Sequence, residues 1–346
     1  MSFLRPEDRR PRAVILGCSG IVLTDDERRA FAQGDPLGFI LFARNVADPG
    51  QLARLTADLR ASVGRPDAPI LVDQEGGRVR RLRPPHWRAI PPAAAFGALH
   101  ARAPAAAAEA ARLAGRLIAA DCLAAGLDVV CAPCADVPAD DGHDVIGDRA
   151  YGRAPSVVAT LARAMATGLA ELGAVPVIKH MPGHGRARAD SHRELPVVEA
   201  SRDTLSTVDA VPFRALADFP WGMTAHVLYT ALDARRPGTV SPDVIGFIRT
   251  AIGFQGLLLS DDLGMEALGG TPLARARAAL AAGCDVALHC DGRIETAQAL
   301  LADLPRLTDE ACARLARTGV KVRRRLPAEP QRWQGRMDAL LCGAAT

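Results

Sequence analysis

The sequence predicts an α/β protein, a single (β/α)8 (TIM) barrel with extra C-terminal helices, and three observations carry that expectation. Short apolar runs alternate eight times with Ala- and Leu-rich helical stretches. Polar residues gather directly after the apolar runs, on what becomes one rim once a barrel closes. One run, 175–178, ends in Lys179-His180-Met181-Pro182-Gly183-His184-Gly185. No helix runs through that stretch, because Pro lacks the N–H and clashes backwards while Gly is entropically costly. It therefore reads as a strand passing into a polar loop, with Lys179 and His180 at the carboxyl edge where α/β proteins keep their chemistry.

Strands are expected at 13–16, 38–41, 70–72, 128–131, 175–178, 222–225, 256–260 and 285–288. Helices are expected at 25–33, 49–62, 104–125, 155–172, 202–217, 242–252, 272–282 and 295–301. Several helices open with Pro after a polar residue, as in Ser241-Pro242 and Thr271-Pro272. Gly126, Gly173 and Gly283 each stand where a helix should stop before the next strand. From Thr308 onward one or two helices are expected on the outside. No Pro/Ser/Gly-rich linker divides the chain, so one catalytic domain is expected over 1–346, with the barrel at about 13–303 and a helical extension at about 304–346.

Composition narrows the function classes. A length of 346 residues and 49% hydrophobic content are ample for one large barrel core. A net charge of +3, from 42 basic and 39 acidic residues spread along the chain, gives no nucleic-acid footprint. Eight Cys without a secreted-type framework read as reduced thiols. The lone C-x-x-C pair, Cys131 and Cys134, reads as core or strand-end packing. Arg9, Arg10 and Arg12 before Ala13-Val14-Ile15-Leu16-Gly17-Cys18 resemble a lipoprotein signal, but only four apolar residues precede Cys18, against the roughly 7–15 a signal needs. No run reaches the roughly 18 apolar residues of a membrane span. A cytoplasmic monomer with no membrane or nucleic-acid partner is expected.

On the rim stand Arg44-Asn45 after strand two, Asp73-Gln74-Glu75-Gly76-Gly77-Arg78 after strand three and Asp136 after strand four. Lys179-His180 follow strand five, His226 strand six, Asp261-Asp262 strand seven, and His289 and Asp291 strand eight. Together they point to an enzyme handling a polar, polyhydroxylated substrate. Four motifs carry a resemblance: Val72-Asp73-Gln74-Glu75-Gly76-Gly77-Arg78-Val79, the Lys179–Gly185 stretch, Ala189-Asp190-Ser191-His192, and Leu259-Ser260-Asp261-Asp262-Leu263-Gly264-Met265. Their order from about Ala13 to Gly292 resembles glycoside hydrolase family 3, and more narrowly its bacterial β-N-acetylglucosaminidases of the NagZ type. The resemblance implies a retaining exo-β-N-acetylhexosaminidase, without cofactor or metal. It implies a cytoplasmic role in cell-wall recycling, taking terminal GlcNAc from 1,6-anhydro-MurNAc fragments and their peptides.

Retaining hydrolysis needs a carboxylate nucleophile and a partner that protonates the leaving oxygen. The motif makes Asp261 the nucleophile; Leu257, Leu259 and Asp261 share one strand face, and Asp262 is the competitor on the other. The resemblance gives the acid/base role to His192, assisted by Asp190. The chemistry is sound: an unperturbed imidazole titrates near pH 6.5, and a bonded carboxylate fixes its tautomer. Asp73, Arg81, Arg149, Lys179 and His180 resemble the family's sugar contacts. Lys179 and Arg149 are expected to keep Asp261 ionised, and Gly183 and Gly185 to let the loop move. His184 and Gln74 receive structural roles.

Alternatives are a phosphorylase or other β-glycosidase of this family, and a non-catalytic carbohydrate-binding barrel. A metal enzyme fits poorly. His180 and His184 cannot share a helix, and the first strand runs into Gly17-Cys18-Ser19-Gly20 rather than His-x-His. An aromatic content of 4% offers few stacking platforms, which suits a short pocket for one terminal sugar.

Overall fold

The structure is a computed structural model that describes residues 10–191, 194–321 and 328–343. Eight parallel strands close into a barrel: β1 Arg12–Gly17, β2 Pro36–Leu41, β3 Ile70–Val72, β4 Val129–Val130, β5 Val175–Met181, β6 Trp221–Thr224, β7 Leu257–Asp262 and β8 Val286–His289. Each pairs with its sequence neighbours, and β1 pairs with both β2 and β8. The expected alternation is thus present, with most ends shifted by a residue or two. The largest shift is at β5, which runs on through Lys179 and His180 to Met181.

Alternation within the strands sorts the core. Ile15, Ile40, Leu71, Val177, Met223, Leu259 and Leu288 fill the barrel interior with Trp221. The opposite faces, such as Val14, Phe39, Val72, Ile178 and Leu258, join the helices in one larger cluster. Local chemistry starts and stops the helices. Thr24 and Glu27 form a reciprocal capping box at Asp25–Gly34, and Asp48, Ser241 and Thr271 each accept an N–H just past a Pro-initiated start. Gly173 and Gly283 end their helices in the left-handed conformation.

Three features depart from the sequence expectation. A helix at Ala93–His100 and a two-stranded hairpin, Gln74–Gly76 with Val79–Arg80, were hidden in stretches without clear periodicity. The helices at 202–215 and 242–252 each contain a π turn, Leu205–Asp209 and Ile248–Ile252. The helix Asp309–Lys321 does not lie on the outside. Leu307, Ala311 and Leu315 join the barrel-interior cluster, and Trp221 Nε1 donates to Thr318 Oγ1 at 2.9 Å. This helix therefore covers the amino-terminal mouth and leaves the opposite rim open for chemistry. The following helix, Pro330–Cys342, does pack outside, through Trp333, Met337 and an Arg336–Glu109 pair.

Candidate active site

At the carboxyl rim lies a cavity of about 160 Å³ to which every strand from β2 to β8 contributes, directly or through the loop after it. Asp73, Arg81, Arg149, Lys179, His180 and Asp261 all line it, so six of the eight expected site residues meet there. Among the described residues, Phe42 is the one phenyl, phenol or indole ring on its wall.

One wall is a chain of alternating charges. Arg81 Nη2 donates to Asp73 Oδ2 at 2.9 Å, and Lys179 Nζ reaches Asp73 Oδ1 at 2.8 Å and Glu75 Oε1 at 2.7 Å. Arg149 then grips Glu75 bidentately at 2.8 and 2.9 Å. Lys179 is only 3% exposed. Burial opposes its charge, but Asp73 and Glu75 outweigh that and hold the ammonium well above its usual range. Burial pushes Glu75 upward; Arg149 and Lys179 overcome it and bring the carboxyl down to about 2. Asp73 is held low the same way by Lys179 and Arg81. Gln74 clips the hairpin behind this wall, accepting from the Arg81 and Leu82 amides at 2.8 and 3.0 Å. Arg81, in an Arg-rich run that could have been mere surface, is thereby aimed inward, its guanidinium 5.3 Å from the centre of the Phe42 ring.

The Lys179–Gly185 stretch is pinned by Asp136, which is fully buried. Its Oδ2 accepts His180 Nδ1 at 2.7 Å and the Cys134 thiol at 3.2 Å, while Oδ1 accepts the His184 amide at 2.6 Å. Burial would raise this carboxyl, but His180 and His184 hold it well below the ordinary range. Nδ1 of His180 therefore carries the proton, and Nε2, 3.5 Å from Arg149 Nη2, is left as the acceptor. His184 also lines the cavity; burial, then His180, brings it down to about 4, so it is neutral near pH 7.

On β7, Asp261 and Asp262 have separate surroundings. Asp262 Oδ1 accepts the Gly264 and Cys290 amides at 2.9 and 3.1 Å, so it caps the turn. Asp261, 7% exposed, accepts the Asp262 amide at 2.8 Å. Burial would raise its pKa, but His226, His180, that amide and Lys179 outweigh it and keep the carboxylate ionised. The expectation that Lys179 helps keep Asp261 ionised is met, and the part given to Arg149 needs correcting. Lys179 contributes last among these and Arg149 spends itself on Glu75, whereas His226 is the leading partner. His226, with Nε2 on the Asp262 carbonyl at 2.8 Å and Nδ1 on Thr239 at 2.7 Å, sits directly behind.

The loop after β5 has a different character. Asp190 is half-buried and does not line the cavity, although the adjacent Ser191 does. His192 lies outside the described residues. Ser191 ties the loop down through His184 Nε2 at 3.3 Å and through its carbonyl, which accepts the Ala267 amide at 3.3 Å. Gly183 has a φ of 139°, which favours glycine. Gly185 also meets a steric demand, since a Cβ there would stand 2.1 Å from the Val137 carbonyl.

Glu75, Asp136 and His226 were on the rim by sequence but missed as site residues. Glu75 stands two residues from Asp73 in the same motif, a spacing that could have signalled its shared role. Nothing local marked His226 or Asp136 beyond their strand ends.

Comparisons with known proteins agree with this geometry. The family model described as the glycosyl hydrolase family 3 N-terminal domain matches residues 17–324. A β-hexosaminidase from Aromatoleum aromaticum is 44% identical over 285 residues, spanning 80% of this chain and 79% of that one. One from Bordetella avium is 38% identical over 332 residues, spanning 94% and 91%. The crystal structure of NagZ from Neisseria gonorrhoeae in complex with N-trifluoroacetyl-D-glucosamine superposes with a TM-score of 0.84 at 31% identity, covering 97% of this chain and 99% of that one.

Proposed function

We propose that this chain, which belongs to glycosyl hydrolase family 3 and is a β-hexosaminidase of that family, is a retaining exo-β-N-acetylglucosaminidase acting on peptidoglycan fragments. In this reading it releases terminal GlcNAc from GlcNAc-1,6-anhydro-MurNAc and its peptides, in the cytoplasm. The observation that carries the mechanism is the buried, ionised Asp261 at the carboxyl end of β7, facing a cavity whose opposite wall is built of charged hydrogen-bonding groups.

Binding comes first. Asp73 offers acceptor oxygens to sugar hydroxyls, while Arg81, Arg149, Lys179 and the acceptor Nε2 of His180 supply the complementary contacts. Each is already held by a charged neighbour, so little rotamer freedom is lost when sugar arrives. Asp261 then attacks the anomeric carbon as His192, oriented by Asp190, protonates the departing oxygen. In the second step His192 takes a proton from water, which attacks the glycosyl-enzyme and frees Asp261. A compact cavity with one such ring on its wall fits a single terminal sugar rather than a long polymer.

The test is a panel of aryl β-glycosides of GlcNAc, glucose and xylose, with and without phosphate, alongside a mechanism-based fluorosugar and peptide mapping. GlcNAc should be released fastest, without need for phosphate, and Asp261 should carry the label. Faster glucose release would overturn the sugar assignment, phosphate-dependent turnover would make the enzyme a phosphorylase, and labelling of Asp262 would move the nucleophile.

A further inference from the structure

Among the described residues, three side chains of metal-ligating type, one of them the sugar-contact candidate His180, bring their donor atoms within 4.8 Å of one another: Cys134, Asp136 and His180. All three are buried. We propose that this trio is a binding site for a soft divalent cation, zinc or cadmium, and that its occupation switches hydrolysis off.

The donor set is one thiol, one imidazole and one carboxylate, a combination that suits zinc-like ions and not magnesium or calcium. Asp136 Oδ2 is the common node, 3.2 Å from Cys134 Sγ and 2.7 Å from His180 Nδ1, so two protons now bridge the trio. A cation takes their place, with the Nδ1 proton of His180 relocating to Nε2 and the thiol proton leaving to solvent. A tetrahedral zinc with bonds of about 2.0–2.3 Å spaces its donors about 3.3–3.5 Å apart, so these gaps need to open by only roughly 0.3–0.6 Å. The carboxylate is already aimed, because Oδ1 is fixed by the His184 amide at 2.6 Å. The nearby cations are spoken for, Arg149 by Glu75 and Lys179 by Asp73 and Glu75. His180 lines the cavity, which gives an entry path. Cys131, three residues before Cys134, packs in the barrel interior and takes no part.

The inhibitory half follows from the tautomer and rests on the reading of His180 as a sugar contact. With metal on Nδ1, Nε2 becomes an N–H donor facing Arg149 and can no longer accept from a hydroxyl. The binding half stands without that reading.

The experiment titrates the full chain with cadmium chloride and follows both thiolate-to-cadmium charge-transfer absorbance and aryl β-GlcNAc hydrolysis. The background is C312S/C342S, since those two cysteines are not buried. One equivalent should produce the band and suppress hydrolysis, and magnesium should do neither. Cys134→Val should lose the band and, measured against its own metal-free rate, need at least about tenfold more cadmium for inhibition. Should the valine variant fold poorly, Cys134→Ser must show the same loss of the band. A band that survives both substitutions, or inhibition equally strong in Cys134→Val, would overturn the site and place the metal elsewhere, such as at Asp190 and His192. A Cys134-dependent band without inhibition would overturn the switch and leave the sugar reading untouched.

Discussion

The wall after strands β3 to β5 and the loop after β5 face the same cavity but are built on opposite principles. The wall is a relay, Arg81–Asp73–Lys179–Glu75–Arg149, in which each charge is fixed by the next. The loop carries Asp190 half-buried, and its own ion pairs, Arg186–Asp209 at 2.7 Å and Arg188–Asp141, stand off the cavity wall beside backbone contacts such as the Ala187 carbonyl on the His143 amide at 2.7 Å. Buried charges cost free energy on desolvation, and removing one partner typically costs about 3–5 kcal/mol because the other is left unpaired. The wall therefore spends fold stability on holding a sugar in one pose. The loop keeps its ion pairs away from the cavity, which suits a group that must give and later take back a proton.

The largest effect should come from neither region but from the carboxylate between them. Asp261→Ala should lower kcat by on the order of 10⁴-fold or more while leaving the unfolding midpoint nearly unchanged. Steady-state kinetics paired with urea unfolding checks both halves. A surviving burst of product would move the nucleophile to another residue.

Next is Lys179→Met, which should break the comparison if it is wrong. It leaves Asp73 and Glu75 short of a cation, so stability should fall by about 3–5 kcal/mol and kcat/KM should fall with it. A variant as stable as the parent would show that the relay is not the strut described.

The pH dependence of stability sharpens the same point. Glu75 sits near pKa 2 when folded, against an ordinary 4.5. A lowered pKa means that its contribution is full above about pH 4.5 and is lost as pH falls toward 2, on the order of 3 kcal/mol in all. Unfolding midpoints across that window should fall steeply in the parent and less steeply in Glu75→Gln. Parallel curves would remove Glu75 from the account. Asp190→Ala, on the loop, should change stability less than Lys179→Met does, and its kinetic loss should be a milder copy of that of His192→Ala.

Legibility in the sequence followed the same divide. Barrel strands announce themselves through apolar runs and Gly stops, and the helices 49–62, 155–172 and 272–282 were readable to the residue because Pro opens each of them. Motif residues on the wall were readable as a set. Their pairing was not, since Lys179 and Glu75 are more than a hundred residues apart and only barrel closure brings them to 2.7 Å. The role of His226 was hidden for a similar reason: its leverage on Asp261 comes from adjacent strands, not spacing along the chain. The amphipathic helix 309–321 looked like surface because its partner, the barrel mouth, exists only after closure.

The most direct test of this division of labour compares His192→Ala with Lys179→Met on two substrates of the same sugar. One is a dinitrophenyl β-GlcNAc, whose phenolate leaves without help, and the other is the natural disaccharide, whose alkoxide leaves badly. With the loop residue gone, the disaccharide should lose most of the roughly 10²–10⁴-fold that general acid catalysis supplies. The dinitrophenyl glycoside should keep fast glycosylation with a burst, and azide should restore turnover as the β-glycosyl azide. With the wall residue gone, both substrates should lose kcat/KM by the same factor, without azide rescue. Equal losses on both substrates for His192→Ala, with no azide rescue, would contradict the account and place the proton donor elsewhere on the rim.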